Sequence, residues 1–131
     1  MGGYGAVAVK AVKLLTSGNI DRPRDAWKMA AATSETLKSI SSQDKGCPRA
    51  AFLGLCQEGV VRGIPPGRYT NSKENKEYAI EAVRILQQEP ALCSNLEALW
   101  KKVMKRKDKN INSNGQMEVV VSLWNDSLIA I

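Results

Sequence analysis

The stretch Ser94-Asn95-Leu96-Glu97-Ala98-Leu99-Trp100-Lys101-Lys102-Val103-Met104 decides the fold class. Leu96, Leu99, Trp100, Val103 and Met104 recur at the spacing that gathers apolar side chains on one face of an α-helix. Ser94 with Glu97 reads as a capping box at its start. The same period runs outward in both directions. Tyr4, Ala8, Ala11, Val12 and Leu15 share a face, with Gly18 as the stop. Pro23 opens a second helix that groups Trp27, Ala30 and Ala31 and extends weakly toward Leu37. The serine-rich residues 39–45 read as a loop, and Pro48 then opens a helix burying Phe52, Leu55, Cys56 and Val60. Asn71 with Glu74 caps a further helix carrying Ala79, Ala82, Val83 and Leu86, which Pro90 ends. Ser113 with Gln116 caps the last, where Met117, Val120, Val121, Trp124 and Leu128 share a face. Residues 60–70 fit either a short β-hairpin around Pro65-Pro66-Gly67 or an irregular connection. The expected architecture is mainly α: a compact bundle of five to six helices, one domain over residues 1–131.

Composition excludes several chemistries. There is no histidine, so Ser-His-Asp, Cys-His and HExxH mechanisms are absent, and so is the usual imidazole general base. Cys47, Cys56 and Cys93 form no CxxC pair, which speaks against structural zinc, and three cysteines leave no complete disulfide framework. Reduced thiols in a cytoplasmic setting follow, with Cys56 in the core and Cys47 at a helix start. No stretch reaches the ~18 apolar residues of a membrane span, so no membrane partner is expected. A catalytic apparatus, a cofactor and a metal are all missing from the pattern, and we read the chain as non-enzymatic.

The excess positive charge is local. Of the net +6, residues 45–76 carry +4 and residues 101–109 carry +5, while the remainder is negative. Such asymmetry points to an anionic partner. In the first region the charges fall at helix starts. Lys45-Gly46-Cys47-Pro48-Arg49 offers two cations, free backbone N–H groups and a glycine that permits close approach. Gly67-Arg68-Tyr69-Thr70-Asn71-Ser72-Lys73 offers a guanidinium, a ring and short polar side chains. Lys45, Arg49, Arg68 and Lys73 would hold phosphates, Gly46 would let the backbone approach them, Tyr69 would stack on a base, and Asn71 and Ser72 would donate hydrogen bonds. The bland alternative is that Thr70, Asn71 and Ser72 only cap a helix. Neither segment is a P-loop or a dinucleotide fingerprint.

The second region, Lys101, Lys102, Lys105, Arg106, Lys107 and Lys109, supports a rival class. It would contact a DNA or RNA backbone, with residues 55–69 as a winged-helix-like element, Arg62 and Arg68 flanking the nucleic acid. The apolar run Ala50-Ala51-Phe52-Leu53 leaves that helix little polar face to read bases. Lysines at a helix C-terminus also complement the macrodipole without any ligand.

Lys45-Gly46-Cys47-Pro48-Arg49 followed by Ala51-Phe52-Leu53-Gly54-Leu55-Cys56, with Gly63-Ile64, Gly67 and Tyr69, resembles the signature of a family of short, uncharacterised bacterial and phage proteins. Ala26-Trp27, Tyr78-Ala79, Leu99-Trp100 and residues 116–124 are similar to it too, whereas residues 34–42 fit less well. The resemblance carries no activity and no catalytic residue. It implies a free-standing small domain in a bacterial cell or one infected by a phage. By analogy, such a protein would sequester a nucleotide or cyclic-nucleotide messenger of host immunity. It would do so as a homo-oligomer with pockets between subunits and aromatics such as Trp27, Trp100 or Trp124 partly used in contacts; the bland alternative is that all three are core, the reading preferred for Trp100.

Overall fold

A computed structural model describes residues 3–130. Met1, Gly2 and Ile131, the ends of the expected 1–131 domain, lie outside the described residues. Among those described, six helices of ten residues or more carry the fold: α1 (Tyr4–Thr16), α2 (Pro23–Ala32), α4 (Gly46–Gln57), α5 (Lys73–Gln88), α6 (Leu96–Lys107) and α7 (Gln116–Asn125). A single turn, α3 (Ile40–Gln43), and a 3₁₀ turn (Pro90–Ser94) complete them. The fold is a helical bundle, as the periodicity predicts.

Its axis is α4. Eight of its twelve residues are buried, because the apolar run from Ala50 to Cys56 covers most of its circumference. α4 packs against α2, α5 and α7, and α1 joins the bundle through α2 and α7. Phe52 meets Trp27 with ring centroids 5.3 Å apart, and Tyr78 meets Trp100 edge-on at 5.4 Å. Trp27 and Trp100 therefore belong to the core and are not free for contacts between subunits, while Trp124 is half-buried. Gly54 sets the approach of α4 to α5: a Cβ there would lie 2.7 Å from the Lys76 Cα.

Residues 60–70 form no hairpin. Val61 makes an isolated antiparallel bridge with Ile129, the Arg62 N–H donates to the Leu128 carbonyl at 2.8 Å, and the Ala130 N–H donates to the Val60 carbonyl at 2.7 Å. The strand-like pair thus finds its partner beyond α7, which ends at Asn125 and not at Leu128. The run from Pro65 is an irregular connection. With no wing and with α4 buried, the winged-helix reading has no recognition helix to offer a groove.

Several boundaries shift for local reasons. α2 stops at Ala32 and residues 39–45 include α3, capped by the Ser39 side chain accepting from the Ser42 N–H. α4 begins two residues before Pro48. Asn95, not Ser94, caps α6 by accepting from the Ala98 N–H at 3.0 Å. Ser94 instead donates to the Ala91 carbonyl.

Candidate functional site

The first turn of α4 faces the segment that enters α5 across a cleft of about 430 Å³. Gly46, Cys47 and Arg49 come from one side, and Thr70, Asn71, Ser72 and Asn75 from the other. Arg24, in the first turn of α2, and Asn114, just ahead of α7, close it. Four helix starts thus contribute to one wall, and none of the four has a side-chain cap bond at its N-cap residue, Arg22, Lys45, Ser72 or Gly115. The capped helices, α3 and α6, start elsewhere; α1 is also uncapped, with Gly3 packed against Thr36. Uncapped first-turn N–H groups carry the positive end of the helix dipole and accept anions readily. α2, α5 and α7 each hold an acid in the first turn, Asp25, Glu74 and Glu118, but none of these lines the cleft, and α4 has none.

The wall is held by its own hydrogen bonds. Gln57, near the end of α4, accepts from the Tyr69 N–H at 2.9 Å and the Thr70 N–H at 3.1 Å, which pins the approach to α5. Gln116 is only 1% exposed. Its Nε2 donates to Asn75 Oδ1 at 3.1 Å, its Oε1 accepts from the Asn114 N–H, and Asn75 in turn donates to Ser72 Oγ at 3.0 Å. The pattern Ser113 with Gln116 therefore marks a real use of Gln116, but as a tie across to α5 and not as a cap. The N-cap of α7 is Gly115, whose φ of 87° places it in the left-handed region. Likewise Asn71 with Glu74 makes no cap bond; Ser72 is the N-cap of α5.

Of the residues expected to bind phosphate, Gly46, Arg49, Asn71 and Ser72 meet in the cleft. Lys45, Arg68, Tyr69 and Lys73 do not line it. The Lys45 ammonium sits 5.8 Å from the centre of the Tyr4 ring, Arg68 and Lys73 are exposed, and the Tyr69 hydroxyl donates to the Pro65 carbonyl at 2.7 Å. Tyr69 is folded back over Gly67 and is not placed to stack on a ligand in the cleft. Arg24, Asn75 and Asn114 are the members that sequence reasoning missed. Arg24 offered a faint signal, a second cation right after the helix-opening Pro23. Neither Arg24 nor Arg49 is paired with a carboxylate among the described residues; Arg49 makes one long bond, 3.4 Å, to the Asp44 carbonyl.

The second basic segment is in different company. Lys101 pairs with Glu97 at 3.4 Å, Lys102 with Glu89, Lys107 with Glu77 at 3.4 Å, and Arg106 with Glu81 at 3.0 Å and Gln88 at 2.7 Å. Burial pushes the Glu81 carboxyl up, but its hydrogen bonds and charge contacts with Arg106 and Arg84 outweigh this, and the group ends below the usual carboxylate range. Only Lys105 and Lys109 of the six stay outside these pairs, beside a groove that also holds Glu97 and Glu118. The apolar core sits behind both regions, and burial pushes the Cys56 thiol up within it. No helix among the described residues is long and apolar enough to cross a membrane.

Fold and cleft together define a helical-bundle protein with a hollow built from helix starts and lined by two arginines. The chain belongs to the family of unknown function DUF6979, which matches residues 1–130. No curated protein and no solved structure matches it.

Proposed function

We propose that this protein binds a small phosphate-bearing ligand, a nucleotide by class, in the cleft at the start of α4, and that it holds the ligand without transforming it. One observation carries the reading: four uncapped helix starts and two guanidiniums without carboxylate partners line one hollow that contains no acid. A dianion supplies what that wall lacks. Arg24 and Arg49 give forked, charge-assisted donors, the Gly46 and Cys47 N–H groups point along the α4 dipole, and Asn71, Ser72 and Asn114 surround them. The lack of histidine and of any carboxylate in the lining supports holding over turnover. On this reading the protein acts in the cytoplasm by sequestration, and a messenger nucleotide fits that role. The nucleic-acid alternative, through the 101–109 segment, draws less support, because four of its six cations are already paired.

The test uses Cys47, a half-buried thiol in the cleft wall. Pyrophosphate and nucleoside phosphates are expected to slow its alkylation in a Cys93→Ser background, and Arg49→Ala is expected to remove the protection while the apo melting temperature stays put. Unchanged alkylation at millimolar pyrophosphate and at millimolar nucleotide would overturn the reading.

A further inference from the structure

A second hollow, about 350 Å³, adjoins the cleft and shares Arg24 and Arg49 with it. Its other polar walls are Trp27, Lys28, Gln43 and Asp44. The hydrogen-bonding inventory of this hollow is incomplete in a specific way. The Trp27 indole Nε1 has no hydrogen-bond partner although the residue is 1% exposed. An indole N–H buried without an acceptor costs free energy, so native structures rarely leave one so. The Gln43 Nε2 is committed to the Leu37 carbonyl at 2.7 Å, which leaves its Oε1 as the free acceptor of a side chain that lines the hollow. The Asp44 carboxylate takes part in no ion pair among the described residues, and a carboxylate only accepts. The hollow thus offers acceptors on the Gln43–Asp44 side and donors from Trp27 and Lys28. Lys28 and Arg24, which line the hollow beside Trp27, are exposed and unpaired among the described residues, so their side chains are not tied down there.

We infer that this hollow is the base subsite of the phosphate cleft and that it selects guanine. The inference rests on the proposed phosphate site and extends it. Guanine presents two adjacent donors, N1–H and the exocyclic amine, to one carboxylate, with the O6 and N7 acceptors beside them. Adenine offers its acceptor ring nitrogen where guanine has N1–H, and would meet the Asp44 carboxylate with a lone pair. The two shared arginines stand between the subsites, where the sugar-phosphate link of a nucleotide would lie. This subsite takes the place first expected for Tyr69.

Calorimetric titration of the full chain with guanosine 5′-monophosphate, adenosine 5′-monophosphate and ribose 5-phosphate tests it. The guanine nucleotide is expected to bind at least roughly tenfold more tightly than the other two, the discrimination a lost bidentate pair produces. Asp44→Asn keeps the shape and is expected to erase that advantage, leaving ribose 5-phosphate affinity unchanged and the melting temperature within about a degree. Equal affinity for guanosine monophosphate and ribose 5-phosphate overturns the base subsite while the phosphate cleft stands. So does tighter binding of the adenine nucleotide, or an Asp44→Asn variant that still discriminates. If none of the three probes binds, and none slows Cys47 alkylation, the phosphate cleft falls as well.

Discussion

Arg24 and Arg49 on one side of the molecule, and Lys101, Lys102, Arg106 and Lys107 on the other, carry the same charge in opposite circumstances. Of the second set, Lys102, Arg106 and Lys107 lie along α6 opposite a row of acids, Glu77 and Glu81 on α5 and Glu89 at its end, and Lys101 pairs with Glu97 one turn back on α6. Its charge is answered inside the protein. The first set sits at the starts of α2 and α4, whose dipoles add to the positive potential, and neither guanidinium makes an ion pair with a carboxylate among the described residues. Counting charge along the chain ranks residues 101–109 as the richer region; counting it in space reverses the order. A cluster of cations marks a partner site only after its internal counterions have been subtracted.

The largest effect that would break this contrast is on binding. Replacing both Arg24 and Arg49 with Ala is expected to weaken nucleotide protection of Cys47 about 100-fold, from two lost charge-assisted contacts of about 1.5 kcal/mol or more each. Arg68→Ala and Lys73→Ala, outside the cleft, should leave it unchanged. Next comes packing. Gly54→Ala drives a methyl against the Lys76 backbone at 2.7 Å, and should cost about 1–3 kcal/mol in chemical denaturation by prying α4 from α5. Gln116→Leu should cost a comparable 1–3 kcal/mol or so, because the half-buried Asn75 and Asn114 ends of its bridge lose their partner, and ligand affinity should fall with it. The second region should respond to acid. Glu81 titrates lower folded than unfolded, so its pairing stabilises the fold above the ordinary carboxylate pKa, and that contribution is lost as pH falls through the lowered value. Glu81→Gln should flatten this part of the stability-against-pH curve. Smallest of all, Lys101→Ala should move stability by no more than about 0.5 kcal/mol, since its pair with Glu97 is exposed and one helical turn long.

The helices were legible because each carries its own period: Leu99, Trp100, Val103 and Met104 announce α6 without help from the rest of the chain. Half of the expected cleft was legible for the same reason. A helix start is a local event, and Gly46, Arg49, Asn71 and Ser72 sit at two of them. Which starts converge is decided by packing. Arg24 and Asn114 come from 22 residues before Gly46 and 39 after Asn75, and nothing local joins them. The salt bridges of α6 were hidden likewise, although Glu77 and Glu81, one turn apart, hinted at an acidic stripe on α5. Of the two readings open for residues 60–70, a hairpin or an irregular connection, the structure has the second. Val60 and Val61 do have strand character, but the nearest candidate partner in sequence was not the one in space.

That pairing of residues 60–62 with residues 128–130 has a bearing on how the chain is made. Synthesis proceeds from the N-terminus, so the Val60 carbonyl and Arg62 amide wait, without their protein partners, until residues 128–130 have left the ribosome. A chain clipped ahead of Leu128 would leave a frayed edge beside Val60, Val61 and Ile64, three apolar residues otherwise buried. The middle of the molecule in this way registers whether residues 128–130 have arrived, and a copy cut before them would present a sticky seam for chaperones and proteases to find.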